Sequence, residues 1–220
     1  MGVIDSLTPA ELARQLGNPQ GEIGLAVIDR IYESNAKTSV PIVAAFGLNP
    51  NSHVLEIGFG NGRMVPEGIG QAENIRYAGL DISPTMVAEA ERFNAALVAD
   101  GRASFYLGSA ADMPFADSNF DCVFSVGVAH FWFAPNLALS EIHRVLRPGG
   151  RSMMGCLNPL AAPPFARSEN GFYLRGAAEW DALHRAAGFR NVQVESIKTE
   201  QISGTGTPVK RSVFKIEARA

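Results

Sequence analysis

A short apolar strand runs straight into three glycines at alternate positions, in Val54-Leu55-Glu56-Ile57-Gly58-Phe59-Gly60-Asn61-Gly62. Few folds accommodate such a run. Glycine reaches positive φ at no steric cost and lets another group approach the backbone closely. A helix that follows the turn offers free N–H groups and the positive end of its dipole. The segment predicts a buried strand over residues 53–57, a tight turn, and a ligand lying across the strand end. Glu56 bears on the ligand's charge, because a carboxylate there repels a pyrophosphate and attracts a cation. The glycine spacing also departs from the G-x-G-x-x-G of dinucleotide sites, since Arg63 occupies its last place.

The rest of the chain alternates strands with helices. Apolar runs predict strands at 76–80 (ending on Asp81), 103–107, 121–126 and 151–157, with helices at 84–97, 137–146 and 180–187 between them. Pro84 suits the first turn of its helix, and Pro148-Gly149-Gly150 stops the next. Crossovers of this kind imply a parallel sheet covered on both faces. The last two strands, 192–197 and 212–218, have no helix between them and pair as a hairpin, which predicts an antiparallel strand at one edge. The expected fold is therefore α/β and doubly wound, with a mostly parallel seven-stranded sheet. Ahead of it, residues 8–17 read as a helix with Thr8, Pro9 and Glu11 as its start signal. Further helices are expected at 24–35 and 40–46. Residues 1–50 thus predict a helical cap, and 51–220 the main domain. Residues 158–176 are irregular and rich in Pro, Ala and Gly, as lids and binding loops are.

Composition narrows the partners. The formal net charge is -3, so no strong positive field gathers nucleic acid. Cys122 and Cys156 each sit in an apolar run, as buried thiols in a reducing compartment do, and a cytoplasmic location is expected. No apolar run reaches membrane-spanning length. No Cys/His cluster has metal-ligand spacing, so no metal is expected.

Asp81, at the end of the second strand, is placed to accept hydrogen bonds from both hydroxyls of a ribose. Ser83 suits the N-cap of the following helix better than Asp81 does. Ile82 is a candidate surface for an adenine face, and Met86 lies one helical turn on.

Five segments, in order, resemble class I S-adenosylmethionine-dependent methyltransferases, in particular the small-molecule branch of ubiquinone/menaquinone-biosynthesis enzymes. They are V-L-E-I-G-F-G-N-G at 54–62, G-L-D-I-S-P-T-M at 79–86, G-S-A-A-D-M-P-F at 108–115, F-D-C-V-F-S at 120–125 and E-I-H-R-V-L-R-P-G-G at 141–150. A closing A-A-G-F at 186–189 also matches. The resemblance implies that S-adenosylmethionine is the cofactor and S-adenosylhomocysteine the product. It implies cofactor-binding roles for Glu56, Gly58, Gly60, Asn61, Gly62, Asp81, Ile82, Met86, Ser109, Ala110 and Val126. Many relatives carry Gly-Asp-Ala in the third segment, and Ser109 stands here in place of that Asp, which removes charge assistance from the adenine contact.

The implied reaction is in-line methyl transfer to a small-molecule acceptor, for which the protein mainly supplies alignment. His130, just past the fourth strand, is the candidate base if the acceptor must lose a proton. Phe131, Trp132 and Phe133, with Tyr32, Phe165, Phe172 and Tyr173, point to an apolar or aromatic acceptor. A cofactor-binding protein without catalysis and a nicotinamide-dependent oxidoreductase are the alternatives. Glu56 and Arg63 argue against the second.

Overall fold

The computed structural model describes residues 3–44, 47–202 and 208–220. It begins with α1 (Pro9–Gly17), whose start is a reciprocal cap: the Thr8 hydroxyl accepts from the N–H of Glu11, and the Glu11 carboxylate accepts from the N–H of Thr8. The helices expected at 24–35 and 40–46 form one helix, α2 (Gly21–Ala44). The Thr-Ser-Val-Pro stretch at 38–41 stays helical; a proline removes one N–H donor without always ending a helix. The expected end at residue 46 lies outside the described residues.

The main domain follows the predicted alternation. Its strands are β1 (His53–Ile57), β2 (Arg76–Asp81), β3 (Ala103–Leu107), β4 (Phe120–Val126), β5 (Leu146–Leu157), β6 (Arg190–Ile202) and β7 (Pro208–Arg219). They form one seven-stranded sheet in the order β3-β2-β1-β4-β5-β7-β6. The first five run parallel. Antiparallel pairing occurs at the expected edge and reaches one strand further in, because β7 lies between β5 and the edge strand β6. The hairpin is longer than its apolar pattern predicts, since the polar run from Lys198 to Gln201 carries no period-2 signal yet pairs with β7.

Helices cover both faces. Leu55, Ile57, Leu80 and Val123 face α6 (Pro135–Val145) and α7 (Ala177–Ala186), in a layer with Leu139, Ile142 and Trp180. Val54, Tyr77, Cys122, Phe124 and Met153 face the other way, in a layer with Val65 and Ile69 of α3 (Val65–Ile69) and Met86 and Ala90 of α4 (Pro84–Phe93). The helix expected over 84–97 breaks at Asn94 and resumes as α5 (Ala95–Ala99). Asn94 Nδ2 donates to the carbonyls of Gly62 and Ala90, the local competition that makes asparagine a helix breaker.

A third, smaller apolar cluster lies outside the sheet layers. Ala13 and Leu16 of α1 pack there with Phe131 and with Phe165, Ala166, Phe172 and Leu174 of the irregular segment. The cap and the long loop thus share a core of their own.

Candidate functional site

Three strand ends and one turn build the site. All three predicted glycines have positive φ, +73° at Gly58, +59° at Gly60 and +72° at Gly62. They are needed for different reasons. A Cβ on Gly58 would fall 2.3 Å from Val128, and one on Gly62 would fall 2.7 Å from the Cβ of Ala90. These two let the turn pack against its neighbours. A Cβ on Gly60 would meet only Ile28 of α2, at 3.3 Å. Gly60 is therefore the glycine that faces the cap.

Two carboxylates frame this turn. Glu56 and Asp81 are each 7% exposed. Asp81 Oδ2 accepts from the N–H of Gly60 at 3.2 Å, and Oδ1 accepts from the N–H of Ser83 at 2.9 Å. Burial pushes the Asp81 carboxyl up to about 6, although the N–H donors of Ser83, Gly60 and Ile82 hold it down. Glu56 accepts from the Tyr77 hydroxyl at 2.7 Å. Its burial raises it to about 7, against the Tyr77 hydrogen bond and with a smaller push from Asp81. Ser83 is the N-cap of α4, as expected: its Oγ accepts from the N–H of Met86 at 3.2 Å.

The cap is bonded to the same turn. Asn61 Nδ2 donates to Asp29 Oδ1 at 2.8 Å, and Arg63 pairs with Asp29 at 3.3 Å. The Arg63 guanidinium lies over the rings of Tyr32 and Phe93, 5.8 Å from each centroid. Ser83 Oγ donates to the carbonyl of Pro19, and the N–H of Gly21 donates to Thr85 Oγ1. Asp29 is a site residue that sequence reading missed. Its only signal is its place on a helix whose partner face the sequence does not reveal.

The other candidates are dispersed around this centre. Ile82 follows Asp81 and is 52% exposed although apolar. Leu107, the register partner of Asp81 on β3, is 57% exposed and also apolar. It was also missed. Met86 is fully buried in the layer under α4. Ser109 is exposed, and its hydroxyl accepts from the N–H of Ala111 at 3.2 Å, while Ala110 is half-buried. This loop is clamped from behind by the fifth sequence segment. Glu141 accepts from the N–H of Met113, and Arg144 donates to Glu141, Asp117 and the carbonyls of Met113 and Phe115. Val126 ends β4, and a Cβ on the following Gly127 (φ +76°) would meet nothing within 4 Å.

His130 is 6% exposed. Its ring stacks on Phe172 at 5.4 Å with an interplanar angle of 2°, and its Nδ1 is buried without a hydrogen-bond partner. Burial pushes it down to about 3, so the imidazole is neutral near pH 7. Phe131, Phe165 and Phe172 pack on one another in the cap–loop cluster. Phe133, in contrast, is 77% exposed, edge-on to Tyr173. His53 and His184, for which the sequence shows no partner, pair through Nδ1 with the carbonyls of Asn119 and Trp180. Among the described residues, no group of three or more His, Cys, Asp or Glu is placed to hold a metal ion. No described helix is long and apolar enough to cross a membrane.

Residues 55–154, from β1 to β5, match the methyltransferase domain family. This match and the relatives below support a class I S-adenosylmethionine-dependent methyltransferase. It is similar to a demethylmenaquinone methyltransferase of Symbiobacterium thermophilum, with 37% identity over 131 residues, 57% of this chain and 49% of that protein. It is also similar to the O-methyltransferase resE of Aspergillus sclerotiorum, with 27% identity over 162 residues, 70% of this chain and 61% of that protein. The chain thus spans about half to three fifths of the length of these relatives. Among solved structures, phosphoethanolamine N-methyltransferase 2 of Haemonchus contortus shares the fold, with a TM-score of 0.73 and 17% identity over 97% of this chain and 60% of that one. A possible histamine N-methyltransferase of Thermotoga maritima does so with a TM-score of 0.66 and 20% identity, over 89% of this chain and 95% of that one. The glycine turn, Glu56 and Asp81 all lie inside the matched segment, whereas Asp29 and the cap lie outside it.

Proposed function

We propose that this chain transfers a methyl group from S-adenosylmethionine to a small, largely apolar acceptor. The observation that carries the reading is the pair of buried carboxylates, Glu56 and Asp81, on adjacent strand ends, flanking a turn whose three glycines all have positive φ. A buried carboxylate without a cation is costly, and a ligand that brings an ammonium group and two ribose hydroxyls compensates that cost. The donor set therefore fits the cofactor. Asp81 would hold the ribose, Glu56 the ammonium end, and Ile82 with Leu107 the adenine face. Backbone groups at Ala110 and Val126 and the hydroxyl of Ser109 would complete the ring and ammonium contacts.

When bound, the cofactor supplies an activated methyl on a sulfonium, so the chain's own task is alignment. Well-oriented intramolecular reactions gain on the order of 7–11 kcal/mol in this way. Phe133, exposed and edge-on to Tyr173, would offer an acceptor an aromatic wall, and the relative named for demethylmenaquinone supports an apolar one. His130, buried and held neutral, fits a wall residue better than a base.

Calorimetry with S-adenosylmethionine, S-adenosylhomocysteine and NAD tests the cofactor. Binding of NAD alone refutes the reading. Turnover across a panel of quinol, phenol and polar polymer acceptors tests the acceptor, and activity confined to the polymers overturns the apolar assignment.

A further inference from the structure

The Tyr77 hydroxyl has a purpose that packing does not explain. Tyr77 is buried among Phe105, Val54 and Phe124, where a phenylalanine fills the same space. On β2 the register neighbour of Glu56 is Gly79, which carries no side chain. Tyr77, two residues back on the same face, reaches across the diagonal and donates to Glu56 Oε2. Phe124, the neighbour of Glu56 on β4, offers no donor. From α3 and α4 the layer is filled by Val65, Ile69, Met86 and Ala90. The ionisable groups bearing on Glu56 are thus Tyr77 and Asp81, both on β2.

We propose that Tyr77 is a positioning residue that holds Glu56 ready to ionise for a cationic cofactor, and that cofactor binding drives a proton off Glu56 into solvent. The inference rests on the S-adenosylmethionine reading above. A hydroxyl beside a buried carboxyl stabilises its charged form, and burial works against it. These opposing influences bring Glu56 to about 7, within reach of the extra push that a bound ammonium group supplies. Without the hydroxyl, burial would act on Glu56 unopposed.

The test is calorimetric S-adenosylmethionine binding, not turnover, from about pH 5.5 to about pH 8.5, in two buffers of different ionisation enthalpy so that released protons are counted. In the unaltered protein, affinity rises with pH through about 7, and below that point up to one proton leaves Glu56 per cofactor, beside the one Asp81 sheds below about 6. Tyr77→Phe moves the midpoint up by about one pH unit, so binding near pH 6.5 weakens about tenfold while binding near pH 8.5 stays within about twofold. Glu56→Gln binds weakly at every pH and loses this step. The Asp81 step near 6 is common to the unaltered protein and Tyr77→Phe, and cancels between them. A midpoint unmoved in Tyr77→Phe, or an equal loss at every pH, overturns the inference and leaves the cofactor reading standing. If the unaltered protein fails to bind S-adenosylmethionine at any pH, the cofactor reading itself fails and takes the inference with it. Should Tyr77→Phe not fold, tyrosine replaced throughout by 3-fluorotyrosine keeps the shape and strengthens the donor. The midpoint then moves down, and one that stays in place refutes the role.

Discussion

Gly60 donates its backbone N–H to Asp81, so the middle of the glycine turn after β1 is held by the carboxylate that ends β2. The same carboxylate takes the N–H of Ser83 and so fixes the entry to α4. Asp81 therefore shapes the turn as well as offering itself to a ligand. Removing it by Asp81→Ala leaves two N–H groups without their charged acceptor, and hydrogen bonds to charged groups contribute about 1.5–3 kcal/mol each. Cofactor affinity should fall at least about tenfold by calorimetry. Asp81→Asn, which keeps an acceptor for one N–H, should recover part of the loss. Equal affinity in all three proteins would remove Asp81 from the site.

The three glycines should fail differently. Gly62→Ala forces a positive φ on alanine and drives its Cβ to 2.9 Å from the Cα of Ala90, on a helix backbone that cannot yield easily. Left-handed strain of about 1–2 kcal/mol and overpacking of about 1–3 kcal/mol add to a clear drop in melting temperature. Gly127→Ala carries only the strain, since its Cβ meets nothing within 4 Å, and should lose far less. Gly60→Val also carries strain, greater for a β-branched residue at φ +59°, but its distinguishing loss should be cofactor binding, because its side chain would project toward Ile28 and the ligand's path. Calorimetry and thermal melting on the three variants separate these outcomes. A fully binding Gly60→Val would contradict the assignment.

Which parts of this were legible in the sequence follows from where the signals originate. The strands β1, β2, β4 and the end of β5 were readable because their apolar runs are buried on both faces, β3 because Ala103 and Phe105 keep a buried alternation, and the glycine turn because three positive-φ positions leave few other residues. Glu56 and Asp81 were readable because they stand next to that turn in sequence. Asp29 and Tyr77 were not, since each acts across 21 or more residues of chain, on Asn61 and Glu56 respectively, through contacts that no local pattern encodes. The unbroken α2 was missed because the stretch Ala36-Lys37-Thr38-Ser39 interrupts the apolar periodicity, although none of its residues forbids helix. Phe131 and Phe172 read as pocket residues because composition does not distinguish an aromatic that faces a ligand from one that faces another aromatic.

Burial of Glu56 also predicts the sign of a pH effect on stability. Its folded value, about 7, lies above the ordinary 4.5, so folding favours the neutral acid. That contribution is full below about 4.5 and is lost as pH rises through about 7, an effect on the order of 3 kcal/mol. His130 and His184 act oppositely, because burial lowers both and their contribution is lost as pH falls below the ordinary 6.5. The comparison that isolates Glu56 is therefore the unaltered protein against Glu56→Gln, both without cofactor. Glu56→Gln should melt at a higher temperature near pH 8, and the advantage should vanish near pH 5. A constant difference across that range would mean that Glu56 is not held neutral by the fold. Stability gained at the expense of cofactor affinity is the pattern expected of a functional buried charge.

Asp29 joins the cap to the turn, and its removal should alter how long a cofactor stays. The Arg63–Asp29 pair is partly exposed at 3.3 Å, and such pairs contribute only about 0.2–1 kcal/mol. Asn61 is different: it is 3% exposed, and Asp29→Ala would strip the acceptor from its Nδ2. An orphaned buried donor costs about 1–3 kcal/mol. Arg63 would still lie over Tyr32 and Phe93, and the Pro19–Ser83 and Gly21–Thr85 bonds would still hold the start of α2, so the cap should stay folded. What weakens is closure over Gly60. Cofactor should then dissociate about three- to tenfold faster in Asp29→Ala, with association little changed, since affinity differences within one interface fall mainly on the off-rate. Stopped-flow displacement of bound S-adenosylhomocysteine measures this directly. An unchanged dissociation rate would show that α2 rests on the turn without holding anything beneath it.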